Sequence, residues 1–100
     1  MAASRRRARL SPLAESDLED IWSYTVENWS LEQAEHYHAG LVDAFEALVR
    51  GHKKGRMADI REGYLKYAVG SHVIYYRPAE NGIDVIRILH QHMDANRHLL

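Results

Sequence analysis

One hundred residues, 46% of them apolar, suffice for one modest core, and with no linker rich in Pro, Gly or Ser and no internal repeat a single domain spanning residues 1–100 is expected. The chain has no cysteine, which removes disulfides and thiolate chemistry. It has no apolar run near the ~18 residues a bilayer span needs, and its arginine-rich start is not followed by a hydrophobic segment, so a soluble cytoplasmic protein is expected rather than a membrane or secreted one.

The net charge of −1 conceals a segregation: residues 1–9 hold four arginines and no acid, residues 10–49 nine carboxylates and no Lys or Arg, and residues 50–100 nine cations against five acids. Phosphate should be repelled by the middle segment and tolerated only on the C-terminal part, so direct sequence-specific nucleic-acid binding is not expected.

In chain order, Arg5 to Leu10 reads as an edge strand, with residues 1–8 otherwise a mobile basic tail. Ser11-Pro12 then opens a helix, the serine oxygen capping free N–H groups and proline losing nothing at the first helical position. Leu18, Ile21, Trp22, Thr25 and Trp29 recur at steps of three and four and predict its buried stripe, while Glu15, Asp17, Glu19 and Asp20 suit the positive end of its dipole. Of the two tryptophans, Trp22 is expected in the core, and Trp29, at the bend, is open to either a core or a partner role. Ser30-Leu31-Glu32-Gln33 has capping-box spacing, and Ala34, Tyr37, Leu41, Ala44, Phe45 and Leu48 give a second helix its apolar face before Gly51 ends it. Two helices with almost no linker form a hairpin whose stripes need a sheet to cover them.

Residues 51–60 combine turn formers, charge and little periodicity and read as an exposed loop. Three strands follow, Tyr64 to Val69, His72 to Arg77 and Ile83 to His90, separated by Gly70-Ser71 and Glu80-Asn81-Gly82. The fold class is therefore α+β, a helical hairpin packed on a small antiparallel sheet in the order β-α-α-β-β-β.

A strand buried on both faces has no use for an arginine, so Arg87, flanked by Val85, Ile86, Ile88 and Leu89, is expected to reach an open face or a partner. Lys66, Arg77 and Arg87 come from three strands and, with Arg61, His72 and His90, are expected to form one cationic surface, the alternative being separate solvated or ion-paired residues. His90 and His92 supply too few ligands for a metal site. No phosphate-cradling glycine loop, Gly-x-Ser-x-Gly elbow or cysteine nucleophile occurs, and neither a catalytic set nor a cofactor is expected.

Several segments resemble those of a known family. Gly63-Tyr64-x-Lys66-Tyr67, Gly70-Ser71-His72-Val73-Ile74-Tyr75-Tyr76-Arg77 and Asp84-Val85-Ile86-Arg87-Ile88-Leu89-His90-x-x-Met93-Asp94 resemble the ParE branch of the RelE/ParE toxin superfamily. Leu10-Ser11-Pro12, Asp17-Leu18-x-x-Ile21-Trp22-x-Tyr24 and Trp29-Ser30-x-x-Gln33-Ala34-x-x-Tyr37 are similar to its first two helices, and the likeness runs over residues 9–99.

The resemblance implies the toxin of a type II toxin-antitoxin pair, a growth-arresting protein of the plasmid-stabilisation kind, which binds DNA gyrase and traps its cleavage complex without catalysis. It also implies a ParD-like antitoxin that neutralises it in a hetero-oligomeric complex. The expected target surface is Arg61, Arg77, Arg87, His90, Met93, Asp94 and Arg97. An apolar groove beside the hairpin, with Tyr24, Trp29 and Tyr37 as anchors, is expected to take the antitoxin. Two alternatives stay open: a ribosome-dependent messenger-RNA endoribonuclease of the RelE kind, using His72, His90 and Arg87, and a non-toxic scaffold that keeps only antitoxin binding.

Overall fold

Each of the two long helices begins where its capping serine stands. The Ser11 side-chain oxygen accepts the Ala14 N–H at 3.0 Å, and the Ser30 side-chain oxygen accepts that of Gln33 at 3.0 Å. Gly51 closes the second helix at φ 77°, in the left-handed region glycine tolerates. The computed structural model describes residues 7–99, in the order β1 (Arg7–Leu10), α1 (Pro12–Asn28), α2 (Leu31–Arg50), β2 (Arg56–Met57), β3 (Leu65–Val69), β4 (His72–Ala79), β5 (Gly82–His90) and α3 (Ala95–Leu99). The α+β class and the β-α-α-β-β-β backbone are as expected, with two short elements added. Residues 5 and 6 of the expected first strand lie outside the described residues.

The five strands form one sheet in the order β1-β5-β4-β3-β2. It is mixed rather than wholly antiparallel, because β1 runs parallel to β5 while the other neighbours are antiparallel. The two-helix crossover after β1 is long enough to bring a strand back in the same direction, which a tight hairpin cannot do. Gly82 permits the junction, since a Cβ there would collide with the Arg7 carbonyl oxygen. Within the predicted loop, Gly55 donates its N–H to the Tyr76 hydroxyl at 2.8 Å, which draws the segment alongside β3 so that Arg56 and Met57 pair as β2.

The sheet separates two clusters. On its inner face, Ala14 from α1 and Leu41, Ala44, Phe45 and Leu48 from α2 pack on Ile74, Tyr76, Ile83, Val85 and Ile88. On its outer face, Ala58, Tyr64, Tyr75, Leu89 and Leu99 form a smaller cluster. The α1 stripe is Ala14, Leu18, Ile21 and Thr25, and Trp22 sits one position off it, only half-buried, edge-on to the His38 ring at 5.8 Å. The expectation that Trp22 is core is thus corrected.

β1 ends opposite Val85, leaving the rest of β5 without a neighbour on that side. Helix α1 takes its place with side chains. The Ser11 hydroxyl donates to the Ile86 carbonyl at 2.7 Å, and Asp17 accepts the Ile88 N–H at 2.9 Å. Backbone groups that an edge would expose to pairing are satisfied this way.

A candidate recognition site at the helical corner

Where α1 turns into α2, the chain reverses beside the β3–β4 hairpin, and a cavity of ≈ 340 Å³ opens there, lined by Tyr24, Thr25, Trp29, Gln33, Tyr37, Ser71, His72 and His90. Two of its aromatic rings face solvent, Trp29 being 74% and Tyr24 64% exposed. The third, Tyr37, is half-buried and anchors the cavity floor. Its hydroxyl lies 3.2 Å from the Val69 carbonyl, 3.1 Å from the Ser71 N–H and 2.6 Å from His72 Nδ1. One hydroxyl proton satisfies all three only if Tyr37 donates to Val69 and accepts from Ser71 and from His72 Nδ1–H. That tautomer, assigned from the network, leaves His72 Nε2 an acceptor. The Tyr37 ring can lie over the turn because residue 70 is glycine: a Cβ there would come within 2.7 Å of the ring.

The His72 ring stands 5.4 Å from His90, and His90 stands 5.1 Å from His92. Burial lowers the His72 pKa below its ordinary value, the neighbouring His90 lowers it further, and Asp17 pulls weakly the other way. Burial also raises Tyr37, against a lowering hydrogen bond from Ser71, so its hydroxyl stays protonated at neutral pH. Among the described residues no group of three or more His, Cys, Asp or Glu is arranged to hold a metal ion.

The three expected antitoxin anchors therefore meet in one concavity. His90, expected on the target surface, lines that concavity as well.

The expected cations divide between two places: Lys66, Arg77 and Arg87 come from neighbouring strands on the outer face, whereas His72 and His90 stand at the helical corner. Arg87 is not an open charge: its Nε and Nη2 bind Asp17 at 2.8 and 2.9 Å, and its Nη1 donates to the His98 carbonyl at 3.3 Å, leaving the two side chains only 15% and 12% exposed. Its hydrogen bond to Asp17 raises its pKa above the ordinary arginine value against the cost of burial. The expectation that Arg87 stands as an open charge is corrected: its guanidinium is engaged by Asp17 of α1 and by the His98 carbonyl. Arg87 does share a lateral row with Arg56, Lys66 and Tyr75 across four strands.

Arg77 pairs loosely with Asp84 at 3.7 Å, and from Asp84 to His90 β5 covers roughly 20 Å. Arg61 lies 5.7 Å over the Tyr64 ring in the loop before β3. Met93 is half-exposed, Asp94 accepts the Asn96 N–H at 3.0 Å to start α3, and Arg97 is exposed on α3 itself. Sequence reasoning missed Asp17, whose partner lies 70 residues away and leaves no local signal, and also Gln33 and Ser71 on the cavity wall.

The architecture has a solved counterpart. It superposes on a solved structure described as the chromosomal ParDE TA system from P. aeruginosa with a TM-score of 0.73, covering 88% of this chain and 98% of that one at 18% identity. Residues 8–95 match the family described as the ParE toxin of the type II toxin-antitoxin system parDE. The chain is 44% identical to Toxin ParE1 of Mycobacterium tuberculosis (strain CDC 1551 / Oshkosh), over 93% of its own length and 97% of the relative's. It is 40% identical to Toxin ParE1 of Caulobacter vibrioides, over 91% and 95%. The chain belongs to the ParE toxin family of type II toxin-antitoxin systems.

Proposed function

We propose that this ParE-family toxin arrests growth by binding DNA gyrase and trapping its cleavage complex in the cytoplasm, without breaking a bond itself, and that a ParD-like antitoxin neutralises it in a hetero-oligomeric complex. The observation that carries the reading is the family match over nearly the whole chain, residues 8–95, with relatives named Toxin ParE1 covered almost end to end. No helix among the described residues is long and apolar enough to cross a membrane.

In this reading the two surfaces are separate. The aromatic corner, with Tyr24 and Trp29 open to solvent and Tyr37 behind them, is the antitoxin side, because exposed aromatic anchors around a concavity are the usual centre of binding energy. The outer face of the sheet and the segment after β5 are the target side, through Arg61, Arg77, Met93, Asp94 and Arg97. Arg87 supports that side from beneath by holding the His98 carbonyl, and His90 passes to the corner.

Expression of the toxin without its partner tests the reading. Broken chromosomal DNA in arrested cells, and stabilised DNA cleavage by purified gyrase, are expected. Folded protein that leaves both supercoiling and cleavage by gyrase unchanged overturns it. Cleaved messenger RNA would then point to ribonuclease action and unimpaired growth to a scaffold.

A further inference from the structure

The cavity at the helical corner has a chemistry more specific than an apolar groove. Its walls carry three aromatic rings, two imidazoles, and the amide and hydroxyls of Gln33, Thr25 and Ser71, but neither a carboxylate nor an amine. The Thr25 hydroxyl is occupied, donating to the Ile21 carbonyl at 2.7 Å, whereas the Nε2 of His72 is left as an acceptor by the Tyr37 network. Around the cavity stand the two helices of a segment, residues 10–49, that holds nine carboxylates and no Lys or Arg.

We propose that this cavity is a cage for one cationic side chain of an incoming polypeptide, an arginine guanidinium stacked on the open Trp29 and Tyr24 rings and donating to His72 Nε2. A positive charge is drawn both to the faces of the aromatic rings and to the field of the acidic hairpin. A guanidinium suits the cage better than an ammonium, because its planar surface stacks and its weaker hydration makes burial easier. A carboxylate is disfavoured, since it would meet the same acidic field and require His72 to be charged in a setting where burial and His90 oppose that charge.

The cage is therefore sensitive to acid. His72 faces Tyr37 from α2, His90 from β5 and, more remotely, Asp17 from α1, while His90 faces His92 beyond the end of β5. Asp17 is already bonded to Arg87, so a proton arriving on His72 is not neutralised, and it both removes the acceptor and repels the guanidinium.

The test uses small probes on the whole chain. In a Trp22→Phe variant Trp29 is the one tryptophan left, and its fluorescence, with the ring NMR signals of His72 and His90, reports on the cavity. N-acetyl-L-argininamide is expected to saturate in the millimolar range at pH 8 and low salt, N-acetyl-L-lysinamide several-fold more weakly, and N-acetyl-L-glutamate not at all. Affinity should fall as the pH is lowered from 8 to 5.5. Tyr24→Ala and Trp29→Ala, checked by circular dichroism for an intact fold and followed by NMR, should each weaken the arginine probe at least five-fold. Equal or tighter binding of the glutamate probe, tighter binding in acid, indifference to both variants, or no saturation by about 100 mM argininamide overturns the cage.

That the cation belongs to the antitoxin rests on the reading above and is tested apart from the cage. With purified antitoxin, Trp29→Ala should lower affinity at least ten-fold, and so should Arg→Gln at one arginine of the antitoxin's toxin-binding segment. If argininamide binds but Trp29→Ala leaves antitoxin affinity unchanged, the cage stands and the partner is wrong. If Trp29→Ala releases the antitoxin but none of its arginines matters, the docking surface stands and the assignment of the cage's cation to the antitoxin is overturned.

Discussion

The two faces of the sheet are covered in unlike ways. The inner face lies under helices of 17 and 20 residues whose ends are capped, whereas the outer face lies under the loop before β3 and a helix of five residues held chiefly by Leu99 and by the Arg87 bond to His98. An isolated five-residue helix has almost no stability of its own, so the outer cover depends on a few contacts and opens at small cost. The inner face therefore holds the fold, and the outer face is where surface can be exchanged for a partner.

The largest expected effect tests the inner face. Leu41 is fully buried between α2 and the sheet, and Leu41→Ala should cost about 3–4 kcal/mol in a urea titration, the range for a deep core leucine that leaves a cavity. Antitoxin binding and toxicity should fail together, because both surfaces lose their scaffold.

Next comes the seam that joins the two sides. Asp17→Ala should cost roughly 3 kcal/mol, since it strands the largely buried Arg87 charge and the Ile88 N–H at once. For a domain of this size that is a fall in Tm on the order of 15 °C. Arg87→Ala should destabilise comparably, and the double variant should fall well short of the sum of the two. Any loss of toxicity in Arg87→Ala would then follow the loss of stability. An Arg87→Ala protein of unchanged Tm that no longer acts on its target would restore Arg87 as a contact residue.

The outer face should give way more gently. Leu99→Ala is expected to cost about 1–2 kcal/mol, below a core leucine, because the short helix can detach instead of leaving a cavity. Hydrogen exchange should show α3 opening without the rest of the fold, and antitoxin affinity should hardly change. If Leu99→Ala is as costly as Leu41→Ala, the two faces are energetically alike and the comparison fails.

What could be read beforehand follows the same division. Ser11, Ser30 and Gly51 act on neighbours a few residues away, so helix ends, the hairpin and the Asn81-Gly82 turn were legible from spacing. Parallel pairing of β1 with β5 was not, since it joins Arg7 to Gly82 and depends on where two helices return the chain. Trp22 was misplaced because one helical position turns a side chain by about 100°, enough to move it from the core to the flank. Of the candidate site, Tyr24, Trp29 and Tyr37 were named through the family resemblance, while helical spacing alone put Trp29 on the buried stripe, from which the bend between the helices releases it to solvent. The fate of Arg87 was not legible, because apolar neighbours mark a buried arginine without naming its partner, and that partner lies 70 residues back on α1.

The smallest expected effect concerns pH. His72 has its pKa lowered in the folded chain by burial, with His90 adding to it and Asp17 opposing, while in the unfolded chain it returns to about 6.5. Between those two values the unfolded state binds more protons than the folded one, so acid favours unfolding. The stability this group protects is whole above about pH 7.5 and is lost progressively as pH falls through about 6.5 toward the folded value. His72→Asn removes the titrating ring, so urea midpoints taken from pH 8 down to pH 5.5 should decline less in the variant than in the parent, by a margin smaller than any of the mutational costs above. Matching declines would mean that His72 exchanges protons equally in both states, and the corner would then lose its sensitivity to acid while the division between the two faces of the sheet stood unchanged.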